Sequence, residues 1–132
     1  MELYIGGYAQ GKLDYVMKKL HNRQFFVADG DNKDVLLELS KAKADTQVVF
    51  YHFHSWIRQL IEQKKDAEKE TERLIHSYPG IWIISDEVGN GIVPMDPFER
   101  EYRERLGRIL IRIASESCHV ERIICGLGQT IK

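Results

Sequence analysis

A glycine-rich segment near the start of the chain has the spacing of a phosphate-binding loop. Residues 6–13 read Gly-Gly-Tyr-Ala-Gln-Gly-Lys-Leu and fit the pattern G-x-x-x-x-G-K-[ST] at every position except the last. In such a loop, backbone N–H groups at a helix N-terminus surround a phosphate, and the lysine reaches the outer phosphates. The pattern therefore predicts phosphate contacts, with Lys12 as the catalytic cation, for Gly6, Gly7, Gln10, Gly11, Lys12 and Leu13.

Leu13 is the residue that departs from this pattern. The serine or threonine that usually stands there gives a hydroxyl to Mg²⁺, and a leucine side chain has no oxygen to offer. The context fits the motif, because residues 1–5 read as a short buried strand and residues 12–21 carry apolar side chains at helical spacing. Tyr8 and Gln10 are large for such a loop and are expected to crowd it.

A second polar loop follows a buried apolar run, and residues 85–94 there read Ser-Asp-Glu-Val-Gly-Asn-Gly-Ile-Val-Pro. We expect Asp86, Glu87 and Gly89 to lie at the same sheet edge as the glycine-rich loop, because ligands of parallel sheets bind beyond the carboxyl ends of the strands. Glu87 is a candidate catalytic residue. Two interpretations stay open: the acids bind Mg²⁺ in place of a missing ligand, or Glu87 makes hydrogen bonds that support a tight turn.

Two histidines and two arginines are further candidates. His52 and His54 alternate along the end of a predicted strand, so both rings are expected on one face, where they can ligate a transition metal or supply a nucleophile. The alternative is that they are polar residues entering a loop. Arg100 and Arg103 lie near the start of a long helix, where they can meet a nucleotide phosphate, another subunit or only solvent.

Alternating strands and helices must position these residues. The apolar patterns predict strands at residues 1–5, 24–28, 47–53, 81–84 and 120–125, with a further edge segment at 129–132. A helix is predicted to begin at Ser55 and to continue through the charged residues 62–73. Another begins at Pro97, with a capping box between Asp96 and Glu99. This order implies an α/β fold, with a mostly parallel sheet flanked by helices on both faces.

Composition limits the function classes. At 132 residues the chain suits one domain, residues 1–132, and its 19 basic and 20 acidic residues give no reason to expect a nucleic-acid or membrane surface. No apolar run reaches the length of about 20 residues that spans a bilayer, and the N-terminus does not read as a signal peptide, so a cytoplasmic protein is expected. Cys118 and Cys125 lack metal-ligand spacing and are expected to be core residues.

These motifs together resemble the adenosylcobinamide kinase / adenosylcobinamide-phosphate guanylyltransferase family of cobalamin biosynthesis. The resemblance rests on the N-terminal loop, on residues 87–94, on the ending at 126–132, and on Arg100, Tyr102, Arg103, Glu104 and Gly107. It implies a RecA-like P-loop fold, often trimeric, that phosphorylates cobinamide and then transfers GMP to it through a guanylylated histidine. The implied partners are GTP or ATP, a cobinamide or other corrinoid, and further copies of the chain.

Several positions that this family uses for catalysis differ here. The resemblance places serine at Gln10 and Leu13, a metal-holding carboxylate at Tyr51, and the acceptor histidine between the second and third strands, where residues 29–46 contain none. Single charge-stabilising groups in phosphoryl transfer are worth roughly 10²- to 10³-fold in rate. We therefore expect at most nucleotide binding, with impaired or absent catalysis and doubtful Mg²⁺ binding. The alternative is an inactive homologue that acts as a nucleotide or corrinoid sensor, or as an assembly subunit.

Overall fold

The computed structural model describes residues 1–88, 92 and 94–132. Its strands are β1 (Glu2–Gly6), β2 (Phe25–Asp29), β3 (Gln47–Tyr51), β4 (Trp82–Asp86), β5 (His119–Ile124) and β6 (Leu127–Thr130). Its helices are α1 (Lys12–Lys19), α2 (Val35–Leu39), α3 (Phe53–Glu62), α4 (Ala67–Ser77) and α5 (Pro97–Glu116). The strands follow one another in the order that the sequence predicts, with two helices, α3 and α4, between β3 and β4.

The strands form one six-stranded sheet in the order β2-β3-β4-β1-β5-β6. The first five strands of this order are parallel to one another, and β6 pairs antiparallel with β5. The predicted α/β fold with a mostly parallel sheet is therefore confirmed. β4 lies in the centre, between β3 and β1, which explains why its side chains form a nearly continuous apolar run.

The two faces of the sheet are covered unequally. One face packs against α2, α3, α4 and α5 in a core that includes Phe50, Phe53, Ile57, Leu106 and Ile113. The other face packs against α1 in a smaller core built around Tyr4, Val16, Leu20 and Ile84. Because each strand sends alternate side chains to opposite faces, neighbouring residues on one strand end in different cores.

α1 is fixed to the sheet by a buried carboxylate as well as by apolar packing. Glu121 on β5 accepts hydrogen bonds from Tyr15 Oη at 2.6 Å and Lys19 Nζ at 2.7 Å. Burial acts to raise the pKa of Glu121, but the hydrogen bonds from Lys19, Tyr15 and His119 outweigh it, and the pKa is lowered. The helix that follows the glycine-rich loop therefore has a fixed position.

The sequence prediction of one helix through residues 62–73 is wrong. α3 ends at Glu62, and Lys64 takes a left-handed backbone conformation with φ 56°. α4 begins at Ala67, and the side chain of its N-cap residue, Asp66, accepts a hydrogen bond from Lys69 N–H. Neither glycine nor proline marks this break. The Asp66 cap supplies the alternative to a continuous helix, because its carboxylate binds an N–H group that a new helix leaves without a partner.

Three other predictions need correction. β3 ends at Tyr51 and not at Phe53, because α3 begins at Phe53. Cys118 and Cys125 are exposed and are not core residues. Asp96 caps α5 by accepting from Phe98 N–H, but the Glu99 carboxylate binds the Arg58 guanidinium, so the reciprocal capping box does not describe this helix start.

No helix within the described part of the chain has both the length and the apolar character needed to cross a membrane.

Substitutions on the long helix α5 can test how much the larger core contributes to stability. Leu106 is fully buried, so Leu106→Ala should remove apolar contacts and leave a cavity, lowering the free energy of unfolding by about 2–5 kcal/mol. Ile111 lies on the same helix and is 71% exposed, so Ile111→Ala should change stability by less than about 0.5 kcal/mol. Chemical denaturation of both variants measures the difference. Equal losses would contradict the packing described for α5.

Candidate functional site

The glycine-rich loop connects β1 to α1 at the carboxyl edge of the sheet. Gly6 ends β1, and a Cβ atom there would lie 2.5 Å from the Ile123 carbonyl oxygen, so only glycine fits. Gly11 takes φ +83° immediately before α1, a backbone conformation that favours glycine. Glycine is thus favoured at both ends of the predicted phosphate loop, by the close approach of Ile123 at Gly6 and by the positive φ at Gly11.

Lys12 is held inside the loop by two oxygen atoms. Its Nζ donates to the Gly7 carbonyl oxygen at 2.7 Å and lies 2.7 Å from Asp86 Oδ1. The side chain is almost fully buried. Asp86 reaches Lys12 because it ends β4 in register with Gly6 on the neighbouring strand. The structure therefore brings together Gly6, Gly7, Lys12 and Asp86, as the sequence predicts.

Tyr8 and Gln10 do not crowd the loop, contrary to expectation. Tyr8 points into solvent with 87% of its surface exposed. The side-chain amide of Gln10 turns toward Tyr8 O and toward Cys125, whose N–H donates to Gln10 Oε1 at 2.8 Å. In this structure the Gln10 side chain therefore connects the loop to Cys125 through a hydrogen bond. The sequence pattern predicts a phosphate contact for Gln10.

A cleft of about 540 Å³ opens over the loop. Its floor is the segment 8–14, and its far wall consists of Asp31, Tyr51, His52, His54, Ser55 and Asp86. Leu13 lines this cleft with an alkyl side chain while packing against the smaller core. The cleft lies at the carboxyl ends of β1, β3 and β4, where parallel sheets bind their ligands.

His54 lies in α3, lines the cleft and contacts α5. Its Nδ1 accepts the Asp86 backbone N–H at 3.0 Å, and its Nε2 lies 3.4 Å from Asp86 Oδ2. Its carbonyl oxygen accepts from Tyr102 Oη on α5 at 3.1 Å. Burial lowers the pKa of His54, against the opposing effect of the Asp86 carboxylate. Because Nδ1 accepts a hydrogen bond, the neutral ring carries its proton on Nε2.

His52 is not in β3, so the predicted strand alternation with His54 is wrong. It precedes α3 in a left-handed conformation with φ 54°. Its Nδ1 lies 2.7 Å from Asp29 Oδ1 and 3.1 Å from Asp31 Oδ2. Asp29, Asp31 and His52 each offer one ligand atom within 4.8 Å of the others. Among the residues that the structure describes, these three form the group of ligand residues whose atoms lie close enough together for one cation, and His54 is not part of it.

Glu87 points away from the cleft. Its carboxylate binds the Arg122 guanidinium on β5, with Oε1 at 3.0 Å from Nε, and its backbone N–H donates to Gly6 O at 2.8 Å. Glu87 therefore joins the ends of β4, β1 and β5. Arg122 is a partner that sequence reasoning missed, because only the pairing of β1 with β5 brings it close.

Two further candidates, Arg100 and Arg103, do not line the cleft. Arg100 is exposed on α5, and Arg103 Nη1 donates to the Ile92 carbonyl oxygen at 2.7 Å. As far as the described residues show, neither arginine lines the cleft over Lys12. Gly89 lies outside the described residues.

The two positions that the family resemblance assigns to Mg²⁺ do not fit the ion. Leu13 offers only carbon atoms. The phenol of Tyr51 is kept neutral, because burial and then the nearby carboxylates of Asp29, Asp86 and Asp31 raise its pKa. Asp86, the acid next to the loop, already neutralises Lys12. The loop therefore offers one cation, Lys12, whose charge is already balanced by a carboxylate.

The buried position of His54 predicts a pH effect. Since the folded-state pKa lies below the usual 6.5, the unfolded chain binds more protons at this residue as the pH falls through 6.5. Stability should therefore decrease as the pH drops from 6.5 toward the folded pKa and should change no further, at this residue, below it. An NMR titration of the His54 ring should give a midpoint below 6.5, and His54→Gln should remove this part of the pH dependence. A midpoint at or above 6.5 would contradict the buried position.

Comparisons with known proteins find a matching family over most of the chain. The model of a family described as cobinamide kinase / cobinamide phosphate guanyltransferase matches residues 18–131. The matched region begins after the glycine-rich loop and includes the Asp86 and Glu87 end of β4.

A named relative is similar over part of the chain. The bifunctional adenosylcobalamin biosynthesis protein CobU of Salmonella typhimurium is 36% identical over 50 residues, which are 38% of this chain and 28% of that protein. The alignment thus spans well under two thirds of the Salmonella protein. The family model, in contrast, covers most of the chain described above. On that match, the chain belongs to the cobinamide kinase / cobinamide phosphate guanyltransferase family.

Proposed function

We propose that this chain binds a nucleoside triphosphate, GTP or ATP, in the cleft over Lys12, and that it transfers phosphate to cobinamide slowly or not at all. The observation that carries the proposal is the glycine-rich loop between β1 and α1, which holds the nearly buried Lys12 at the carboxyl edge of the sheet. Glycine N–H groups and a lysine ammonium are the donors that phosphate requires.

Lys12 must change partner when a phosphate binds. In the structure its ammonium is bound to Gly7 O and Asp86 Oδ1. A phosphate oxygen competes with the Asp86 carboxylate for that ammonium, because both are anionic acceptors. Asp86 keeps a second neighbour after the exchange, since its Oδ2 faces His54 Nε2 at 3.4 Å. The neutral His54 ring can donate from this atom and stabilise the released carboxylate.

Catalysis is the part of the family function that the cleft supports least. Leu13 and Tyr51 stand at two positions that the family resemblance assigns to the metal, and they offer an alkyl group and a neutral phenol in place of an aliphatic hydroxyl and a carboxylate. Charge that develops on transferring phosphate would meet Lys12 and backbone dipoles without a metal ion held at these two positions. We therefore propose nucleotide affinity that does not depend on Mg²⁺. A chain with these properties serves as a nucleotide sensor or as an assembly subunit, the second candidate function.

Calorimetric titration with GTP and with ATP tests the proposal. Lys12→Ala should weaken nucleotide binding by about ten- to a hundredfold, because it removes a charge-assisted hydrogen bond to phosphate. Lys18→Ala is the matched control, since Lys18 is an exposed lysine on the same helix. Removing Mg²⁺ with a chelator should leave the wild-type affinity within about twofold of its value.

Two results would contradict the proposal. Equal nucleotide affinity in the wild type and in Lys12→Ala would exclude the glycine-rich loop as the binding site. Phosphate transfer to adenosylcobinamide well above the rate without protein would exclude the loss of catalysis, and would identify the chain as an active kinase.

Restoring the missing oxygen ligands should restore metal dependence. Leu13→Ser combined with Tyr51→Asp places a hydroxyl and a carboxylate in the cleft that both residues line. GTP binding by this double variant should become at least about tenfold stronger with Mg²⁺ than without it. The matched control is Leu13→Ala combined with Tyr51→Ala, which makes comparable reductions in side-chain size without adding an oxygen. Identical Mg²⁺ dependence in both double variants would show that these positions do not control metal binding.

A further inference from the structure

The turn between β5 and β6 faces the glycine-rich loop. Cys125 and Gly126 form this two-residue turn and both have positive φ, at 51° and 75°, while Ile124 pairs with Leu127 on either side. Two consecutive left-handed residues are the mark of a type I′ hairpin turn. The N–H groups of both turn residues point toward the loop, because each donates to Gln10.

Gln10 accepts both hydrogen bonds through different atoms. Gly126 N–H donates to the Gln10 carbonyl oxygen at 2.8 Å, and Cys125 N–H donates to the side-chain Oε1 at 2.8 Å. Gly11 also approaches the turn closely, since a Cβ atom at Gly11 would lie 3.5 Å from Gly126 Cα. Main chain and side chain of one residue thus fix the loop to the hairpin.

This arrangement sets the direction of one donor in the loop. In a trans peptide the C=O and the following N–H point in opposite directions. Because the Gln10 carbonyl is bound by Gly126, the N–H of Gly11 points away from the turn, and Gly11 lines the cleft. A rotated peptide would instead present a carbonyl oxygen on the cleft side, where it would repel a phosphate.

We propose that the β5–β6 turn orients the loop for phosphate binding through Gln10, which makes Gln10 a positioning residue that does not itself contact the nucleotide. The inference rests on the proposed nucleotide binding and specifies how its site is held in shape. The Oε1 contact matters because it is the part of the connection that a side-chain substitution can remove. Without it, the Gln10 peptide is held to the turn by the Gly126 N–H alone.

Amide hydrogen exchange of the ligand-free protein tests the connection directly. Gln10→Leu keeps the approximate size and removes the acceptor, so exchange should accelerate at Cys125 and at Gly126 together. Gln10→Glu retains an acceptor oxygen and should leave these rates close to those of the wild type. Gln129→Leu makes the same change on exposed β6 as a control and should affect none of them. Acceleration confined to Cys125 would overturn the inference, because the loop would then be held in some other way.

Pyrophosphate binding tests the consequence for anion recognition. Gln10→Leu should weaken pyrophosphate affinity about three- to tenfold, the effect of one hydrogen bond, while the melting temperature stays within about 2 °C of the wild type. Unchanged affinity in Gln10→Leu, with wild-type binding that Lys12→Ala removes, would overturn the role of Gln10 and leave the proposed function standing. A wild-type chain that binds neither pyrophosphate nor GTP would overturn the proposed function, and the role of Gln10 in anion binding with it.

Discussion

The ion pair between Lys12 and Asp86 is the contact on which the rest of the site depends. It joins the first residue of α1 to the last residue of β4 across the end of β1, at a distance of 2.7 Å between Nζ and Oδ1. The lysine is almost fully buried, so its charge needs a partner close by. His54, Tyr51 and the loop glycines are arranged around this pair. A ligand with phosphate groups would have to compete with the Asp86 carboxylate for the Lys12 ammonium, because the carboxylate stays in the cleft.

The supports of the site lie on both faces of the sheet. On one face, Glu121 holds α1 through Tyr15 and Lys19, which fixes the helix that begins at Lys12. On the other face, the larger core holds α3 and α5, and Tyr102 binds the His54 carbonyl oxygen between them. The cleft is therefore positioned by two separate sets of contacts, one hydrophilic and one mainly apolar. Because the contacts on the two faces hold α1 and α3 independently, Lys12 and His54 keep fixed positions in the cleft although they are far apart in the sequence.

The sequence predicted the fold well, because strand and helix periodicities are local properties. It also placed Asp86 at the same sheet edge as the glycine-rich loop, since parallel strands end at one edge, but it did not predict the ion pair with Lys12. It failed where a contact between distant segments overrides the local pattern. The break at Lys64 has no glycine or proline to reveal it, His52 leaves the strand because α3 begins there, and Gln10 turns toward a hairpin that is 115 residues later in the chain. The contact between Glu87 and Arg122 likewise depends on strand order, which no motif encodes.

The register between β1 and β4 restricts how this chain can vary in length. Gly6 lies opposite Asp86, so Asp86 faces Lys12 while the next residue, Glu87, faces Arg122. An insertion or deletion of one residue within β4 would exchange these two acids between opposite faces of the sheet. Lys12 and Arg122 would then both lose their present partners in one step. A change in length is therefore expected to disturb the site less in a segment between strands, where no strand register has to be kept.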